Sequence, residues 1–322
     1  MCDSYSQSQS QSQSQSQKGS ATLIALVVVS LIAICVSSLM WQQDFEIRKT
    51  QIYKENTQVS WLQRSLIDVV RLVLKIDLVN SPGVDHLGEI WALPIENSRV
   101  EDYLKNQDLP EELRSIKFSG AIQDAQALFN IANLWDSNTS SVNLAGLQTY
   151  ANLLEQLGLN KNLADQTAQY VLRNNRRLQY LDELINIPGY NSDVLRKLSR
   201  FAIVLPEPTA INMNTTSSEV LLALLPTLSQ ADAMRFIQLR VSMPLKSQND
   251  ITQLLTKIQP NRALQPLSSV EVKSDYWLAH TNMLIEQRSI NTQALIRRFT
   301  TPQSDKNYTA VLWSKQRIIQ VK

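Results

Sequence analysis

The strongest pattern along the chain is an apolar run close to its N-terminus. From Ala21 to Trp41 it reads ATLIALVVVSLIAICVSSLMW, and no charge occurs between Lys18 and Asp44. At about 1.5 Å per helical residue this run spans roughly 30 Å, one hydrocarbon thickness. Trp41 falls where an aromatic ring sits at a lipid–water boundary. The run is too long for an ordinary signal h-region, and no small-x-small site follows it, so it predicts a single membrane anchor. Beyond it, Leu62, Leu66, Val69, Val73 and Ile76 recur at spacings of four and three, which predicts one apolar helix face. Neither Gly nor Pro occurs between Ser20 and Ser81, and Pro82-Gly83 then ends the pattern. The expectation is one continuous helix to about Asn80, half in lipid and half packed on a folded domain.

Further along, the texture stays helical from Gly146 to about Leu205, with Leu153, Leu154 and Leu157 at helical spacing. Thr216-x-x-Glu219 and Ser229-x-x-Asp232 read as capping boxes opening two helices, with Pro226 to Leu228 as the turn between them. After Gln265 the runs become shorter and richer in aromatic and β-branched residues. Val270–Val272, Tyr276–Ile285 and Thr309–Trp313 suit strands. A sheet split in sequence follows, its early and late strands flanking a helical insert.

Composition narrows the function classes. Of 322 residues, 43% are hydrophobic and 19% charged, enough to build a core, and the net charge is only +2 with its bases dispersed. Broad nucleic-acid binding needs a concentrated basic face, which this distribution lacks. The two cysteines, Cys2 and Cys35, lie in the tail and the apolar run, so the folded part has no disulfide, thiolate nucleophile or cysteine metal site. Only His86 and His280 offer imidazoles, and no nucleophile elbow, Walker loop or zinc spacing accompanies them. They read as a loop residue and a strand residue, and no catalytic residue is expected.

Residues Ser4 to Gln17 are nearly pure Ser-Gln repeat, which has little to bury and is expected to be disordered. A polar leader ending in Lys18-Gly19, then Ser20 and the apolar helix, resembles a type IV prepilin. The resemblance implies prepilin peptidase cleavage between Gly19 and Ser20, N-methylation of Ser20, and a fifth mature residue at Ile24. Most pilins and pseudopilins carry Glu at that place, paired with the N-terminal amine of a neighbouring subunit. An unpaired carboxylate in lipid costs several kcal/mol, so a subunit with no neighbour above it is better served by an apolar residue. One family in the group lacks the Glu: the type II secretion system minor pseudopilin, protein K (general secretion pathway protein K). Trp91-Ala-Leu-Pro94 resembles that family's early strand. Asp124-Ala-Gln-Ala-Leu-Phe-Asn-Ile-Ala-Asn-Leu134 resembles its D-x-x-G-x-F-N-L-N-x-L signature, with Ala127 in place of the glycine. Ile211-Asn-Met-Asn-Thr215, followed by Glu219-Val220-Leu221, resembles its I-N-V-N-T-A segment.

The resemblance implies an α+β fold. A type IV pilin-like long N-terminal helix packs on a small antiparallel sheet, with a large α-helical insertion containing a helix-hairpin-helix-like pair. The expected organisation is a leader over 1–19 and an anchor and extended helix over 20–80. The first part of the pilin-like domain covers 81–145, the insertion 146–264 and the completing strands 265–322. The implied role is to cap the pseudopilus tip and help initiate its assembly for protein export across the outer membrane. Implied partners are other minor pseudopilins, the major pseudopilin, prepilin peptidase, the inner-membrane assembly platform and the lipid bilayer. The implied location is the bacterial inner membrane, single-pass, with the N-terminus cytoplasmic and the C-terminal domain periplasmic. Charge alone leaves orientation open, because Lys18 precedes the anchor while Arg48, Lys49 and Lys54 follow it.

Two further readings stand beside this one. The segment Asn212–Leu255 resembles a helix-hairpin-helix, so a membrane-tethered DNA-uptake protein is one alternative, and a minor pilin of a type IV pilus is another. Phosphate grip by such a pair needs a glycine-rich hairpin, and Pro226-Thr-Leu-Ser229 has no glycine, so no nucleic acid is expected as a partner. Protein K relatives are also associated with calcium held by a D-W-x-D-x-D stretch followed by G-A-E-D. The corresponding region, Leu163 to Tyr170 and on through Asn174–Arg177, has Asp165 as its only carboxylate between Lys161 and Tyr180. Calcium takes six to eight oxygens, several from carboxylates, so this site is expected to be absent or degraded. Asp182, Glu183 and Glu207 could contribute oxygens, but nothing in their spacing points to it, and no cofactor is expected.

Overall fold

The computed structural model describes residues 8–99, 116–136, 139–174, 178–260, 269–285, 288–303 and 307–320. They fall into two units, Met1–Arg64 and Ser65–Lys322. Helix α1 (Ser8–Asn80) forms the first unit and supplies the opening turns of the second. Every side chain from Thr22 to Thr50 is exposed, and this is the one helical stretch among the described residues long and apolar enough to cross a membrane. Ser30 Oγ donates to the Leu26 carbonyl at 2.8 Å, which satisfies its hydroxyl within the helix, as a hydrocarbon environment requires. The Ser-Gln run departs from expectation. It is helical from Ser8, because extending an existing helix avoids the cost of a new nucleus. Met1–Gln7 of the expected leader lie outside the described residues.

In the second unit, Ile67, Val70 and Leu74 of α1 pack on Trp91, Trp277, Ala279, Ala294 and Ile296. This is a correction to the predicted face. Val69 and Ile76 are exposed, while Leu66 and Val73 are only half-buried. The helix carries two apolar stripes one residue apart, and spacings of three and four fit both. Tertiary packing selects the stripe that continues through Asp77 and Leu78.

Beneath α1 lies a five-stranded antiparallel sheet. Strands β1 (Ile95–Arg99) and β2 (Lys117–Asp124) come early in the chain. Three others come late: β9 (Tyr276–Ile285), β10 (Arg288–Gln303) and β11 (Asn307–Gln320). The order is β1-β2-β9-β10-β11, with Ala121 opposite His280 and His280 opposite Gln293. Alternation along β9 sends Trp277 and Ala279 towards α1, while Tyr276 and Leu278 pack on Ala125, Leu128, Ile203 and Leu205. Trp91-Ala-Leu-Pro94, expected as a strand, instead includes a 3-10 turn over Ile90–Ala92, and β1 begins only at Ile95. Pro94 has no N–H for a ladder, and Trp91 is held by its ring, edge-to-face on Trp277 with centroids 4.6 Å apart.

Between β2 and β9 the chain forms two helical layers. The first comprises α2 (Leu144–Gln156), α3 (Leu163–Asn174) and α4 (Ser192–Leu198), around Tyr150, Leu153, Leu154, Leu163, Leu184 and Leu198. The second comprises α5 (Ser218–Leu224), α6 (Gln230–Ser242) and α7 (Gln248–Ile258), around Leu221, Phe236, Ile251 and Leu255. The segment read as a helix pair therefore holds three helices on one apolar core. Ser229 and Asp232 form the expected capping box of α6. The cap of α5 is Ser217, one residue later than expected, because the Thr216 hydroxyl donates to the Ala127 carbonyl at 2.9 Å instead.

Candidate functional site

At the N-terminal end, Gly19 and Ser20 lie within α1, and Ile24 is 64% exposed on a stretch with no buried side chain. The residue types dictate this: a run of Leu, Val and Ile with no Gly or Pro after Gly19 favours helix, and it has no protein core to enter. Such a helix can embed in a bilayer or pack along other apolar helices. Between Lys18 and Asp44 it carries no charged side chain, and its polar groups there are hydroxyls, Cys35, the Trp41 indole N–H and the amides of Gln42 and Gln43.

In the second unit the signature residues are hydrogen-bond hubs. Asp124 caps the turn Ala125–Ala127 by accepting from Gln126 N at 2.8 Å. Its other oxygen accepts from Asn212 Nδ2 at 2.9 Å, Ser274 Oγ at 2.7 Å and Thr215 Oγ1 at 2.6 Å. Burial pushes its carboxyl up from the usual range, opposed by those donors. Asn130 accepts from Ala132 N and Leu205 N, and donates to the Glu207 carbonyl. Asn133 pairs with the backbone of Thr209 in both directions. Asn214 pairs the same way with Leu245, and Asn212 reaches the Asp85 carbonyl. The motif that reads as a family signature thus works as a set of staples joining the sheet to both helical layers.

Beside these staples lies a group that sequence reasoning missed. Asp77 in the last turn of α1 and Asp85 and Glu89 in the following loop are all buried. Arg298 of β10 donates to Asp77 Oδ2 at 2.8 Å, to Asp85 Oδ1, and to the Ser274 carbonyl at 3.0 Å. Burial pushes Asp77 up to about 6, with repulsion from Glu89 adding and Arg298 opposing. Burial likewise pushes Asp85 up to about 7 against the pull of Arg298. One signal was available: Asp77 stands seven residues after Val70 and three after Leu74, a carboxylate inside a core stripe.

The remaining sequence candidates do not converge. Asp165 is exposed in the first turn of α3, and Asn175–Arg177 lie outside the described residues. Asp182 pairs with Lys315 at 3.1 Å, while Glu183 accepts from Gln179 N and Tyr180 N. Glu207 accepts from the Tyr276 hydroxyl and pairs with Arg297 at 2.7 Å. Among the described residues these four acids do not gather into one group of metal-ligating atoms. His86 accepts from Gly88 N, and His280 sits in β9.

The fold is thus an exposed apolar N-terminal helix, an antiparallel sheet under its last turns and a helical insert stapled to that sheet. Comparison with known proteins finds relatives of one kind. The family model for type II secretion system (T2SS), protein K, matches residues 211–271. The type II secretion system protein K of Pseudomonas aeruginosa is 26% identical over 273 residues, covering 74% of this chain and 77% of that protein. The protein K of Klebsiella pneumoniae is 23% identical over 258 residues, covering 70% and 75%. That of Aeromonas hydrophila is 28% identical over 116 residues, only 31% of its own length. A chain from the crystal structure of the GspK-GspI-GspJ complex of the enterotoxigenic Escherichia coli Type 2 Secretion System matches with a TM-score of 0.59 and 19% identity. The match covers 84% of this chain and 99% of that one. These matches make the chain similar to type II secretion system protein K.

Proposed function

We propose that this chain is the minor pseudopilin that caps the tip of a type II secretion pseudopilus and helps to start its assembly for export across the outer membrane. The observation that carries the reading is the wholly exposed apolar helix with Ile24 at the fifth place after Gly19-Ser20. Without a carboxylate there, the subunit has nothing to pair with an amine above it, and it occupies the end of the fibre. The bulky helical insert, packed against the sheet through Ile203 and Leu205, blocks addition of a further subunit. Prepilin peptidase cleaves before Ser20 and leaves it N-methylated, and the anchor holds the domain on the periplasmic face of the inner membrane. The role is structural, with no catalytic residue and no nucleic acid partner. Its partners are other minor pseudopilins, which the two companion chains named with GspK in the related crystal structure support, together with the major pseudopilin and the assembly platform.

Co-purification tests this. The tagged full-length chain, extracted in mild detergent from cells expressing the other minor pseudopilins, is expected to bring them down in fixed ratio. Extraction of the chain alone, with those subunits present and folded in the same membranes, contradicts the reading.

A further inference from the structure

The buried group at the end of α1 is not electrically closed. Asp77, Asp85 and Glu89 bring three carboxylates together, one oxygen of each lying within 4.8 Å of the others. Against them stands one buried guanidinium, that of Arg298, which reaches Asp77 and Asp85 and does not bond Glu89. The Glu89 side chain is only 6% exposed. Its Oε2 accepts from His86 N at 2.9 Å and Trp91 Nε1 at 2.8 Å, while Oε1 has no hydrogen-bond partner. The His86 Nε2 atom stands 3.9 Å from Oε1, beyond hydrogen-bond reach. A buried carboxylate oxygen with no hydrogen-bond donor, on a side chain clustered with two further buried carboxylates, is poorly accounted for by the ion pair alone.

We infer that Asp77, Asp85 and Glu89 bind a hard divalent cation of the calcium or magnesium type. All donors are oxygens, which suits such an ion and not zinc or copper. Three carboxylate oxygens are few for a calcium cage, and water supplies the rest, as is usual for hard cations with few protein ligands. Arg298 fixes Asp77 and Asp85 in place and, as a neighbouring positive charge, keeps the affinity moderate. The ion ties the last turn of α1 to the loop that carries Trp91, and so to the face of the sheet on which the helix rests. This inference rests on the cluster itself and stands or falls independently of the role at a fibre tip.

Terbium luminescence tests it, because Trp91 bonds the same carboxylate and would sensitise an ion there. The full-length protein in detergent, stripped with EDTA, is titrated with terbium under tryptophan excitation and then with calcium or magnesium. Sensitised emission that calcium displaces, and that is lost in Glu89→Gln and in Asp77→Asn, is the expected result. Both variants keep side-chain shape, and circular dichroism shows whether each is folded. Absent emission from the wild type, or emission that calcium does not displace, overturns the inference. So does emission that persists in either folded variant. If neither variant folds, calcium must raise the melting temperature of the stripped wild type, and an unchanged value overturns it.

Discussion

At the scale of single residues, the account turns on polar side chains buried where an apolar one would have been simpler. Asn212 illustrates the logic. Its Nδ2 reaches the Asp85 carbonyl, Asp124 Oδ2 and Ser274 Oγ at 2.9–3.1 Å, while its Oδ1 accepts from Asn214 N. Asn212→Ala leaves those acceptors buried without that donor and is expected to cost about 1–3 kcal/mol in urea unfolding of the full chain. Gly146 is required for a different reason. A Cβ there would lie 2.1 Å from the Asn133 carbonyl oxygen, so Gly146→Ala forces α2 off the signature turn. The expected loss is about 1–3 kcal/mol by the same unfolding measurement. Arg298→Met strips two buried aspartates of their partner, and about 3–5 kcal/mol is expected. The signature positions Asp124, Asn130 and Asn133 were legible from the family resemblance, though not what they hold. The pairing of Asp77 with Arg298 was not, because 221 positions separate them and only the sheet brings them together.

Elements were read more surely than their faces. The strand expected over Tyr276–Ile285 has those bounds, and the box of Ser229 and Asp232 opens α6, because aromatic and β-branched runs and local caps are short-range signals. Which side of α1 is buried was misjudged by one residue, since two apolar stripes share one period and local sequence does not choose between them. That ambiguity has a functional side. The stripe that is not buried, with Val69, Leu72, Ile76 and Val79 exposed, remains for packing against another helix. Leu74→Ala, in the buried stripe, is expected to cost about 2–5 kcal/mol in urea unfolding. Val69→Ser with Ile76→Ser is expected to leave stability within roughly 1 kcal/mol of wild type while weakening co-purification with other minor pseudopilins. Equal loss of stability in both variants would mean that both faces are core.

For the whole molecule, the division into an exposed apolar helix and a folded body followed from hydropathy, because a lipid span is the one element that composition and length alone define. The split sheet also followed, since early and late strand-like runs bracket a helical texture, and they meet as β2 and β9. The three-helix layer behind the expected helix pair did not, although Ser247-x-x-Asp250 repeats at α7 the cap pattern that opens α6. In the proposed function, the place of Ile24 carries the assembly role. Ile24→Glu puts a carboxylate into the span, and insertion is expected to weaken by up to about 3 kcal/mol, read as the membrane-integrated fraction. The most direct test of the assignment is the N-terminal mass of the chain after co-expression with an active prepilin peptidase. The account predicts a mature chain beginning at Ser20 with one added methyl group, and a chain still beginning at Met1, beside a control prepilin that is cleaved, contradicts it.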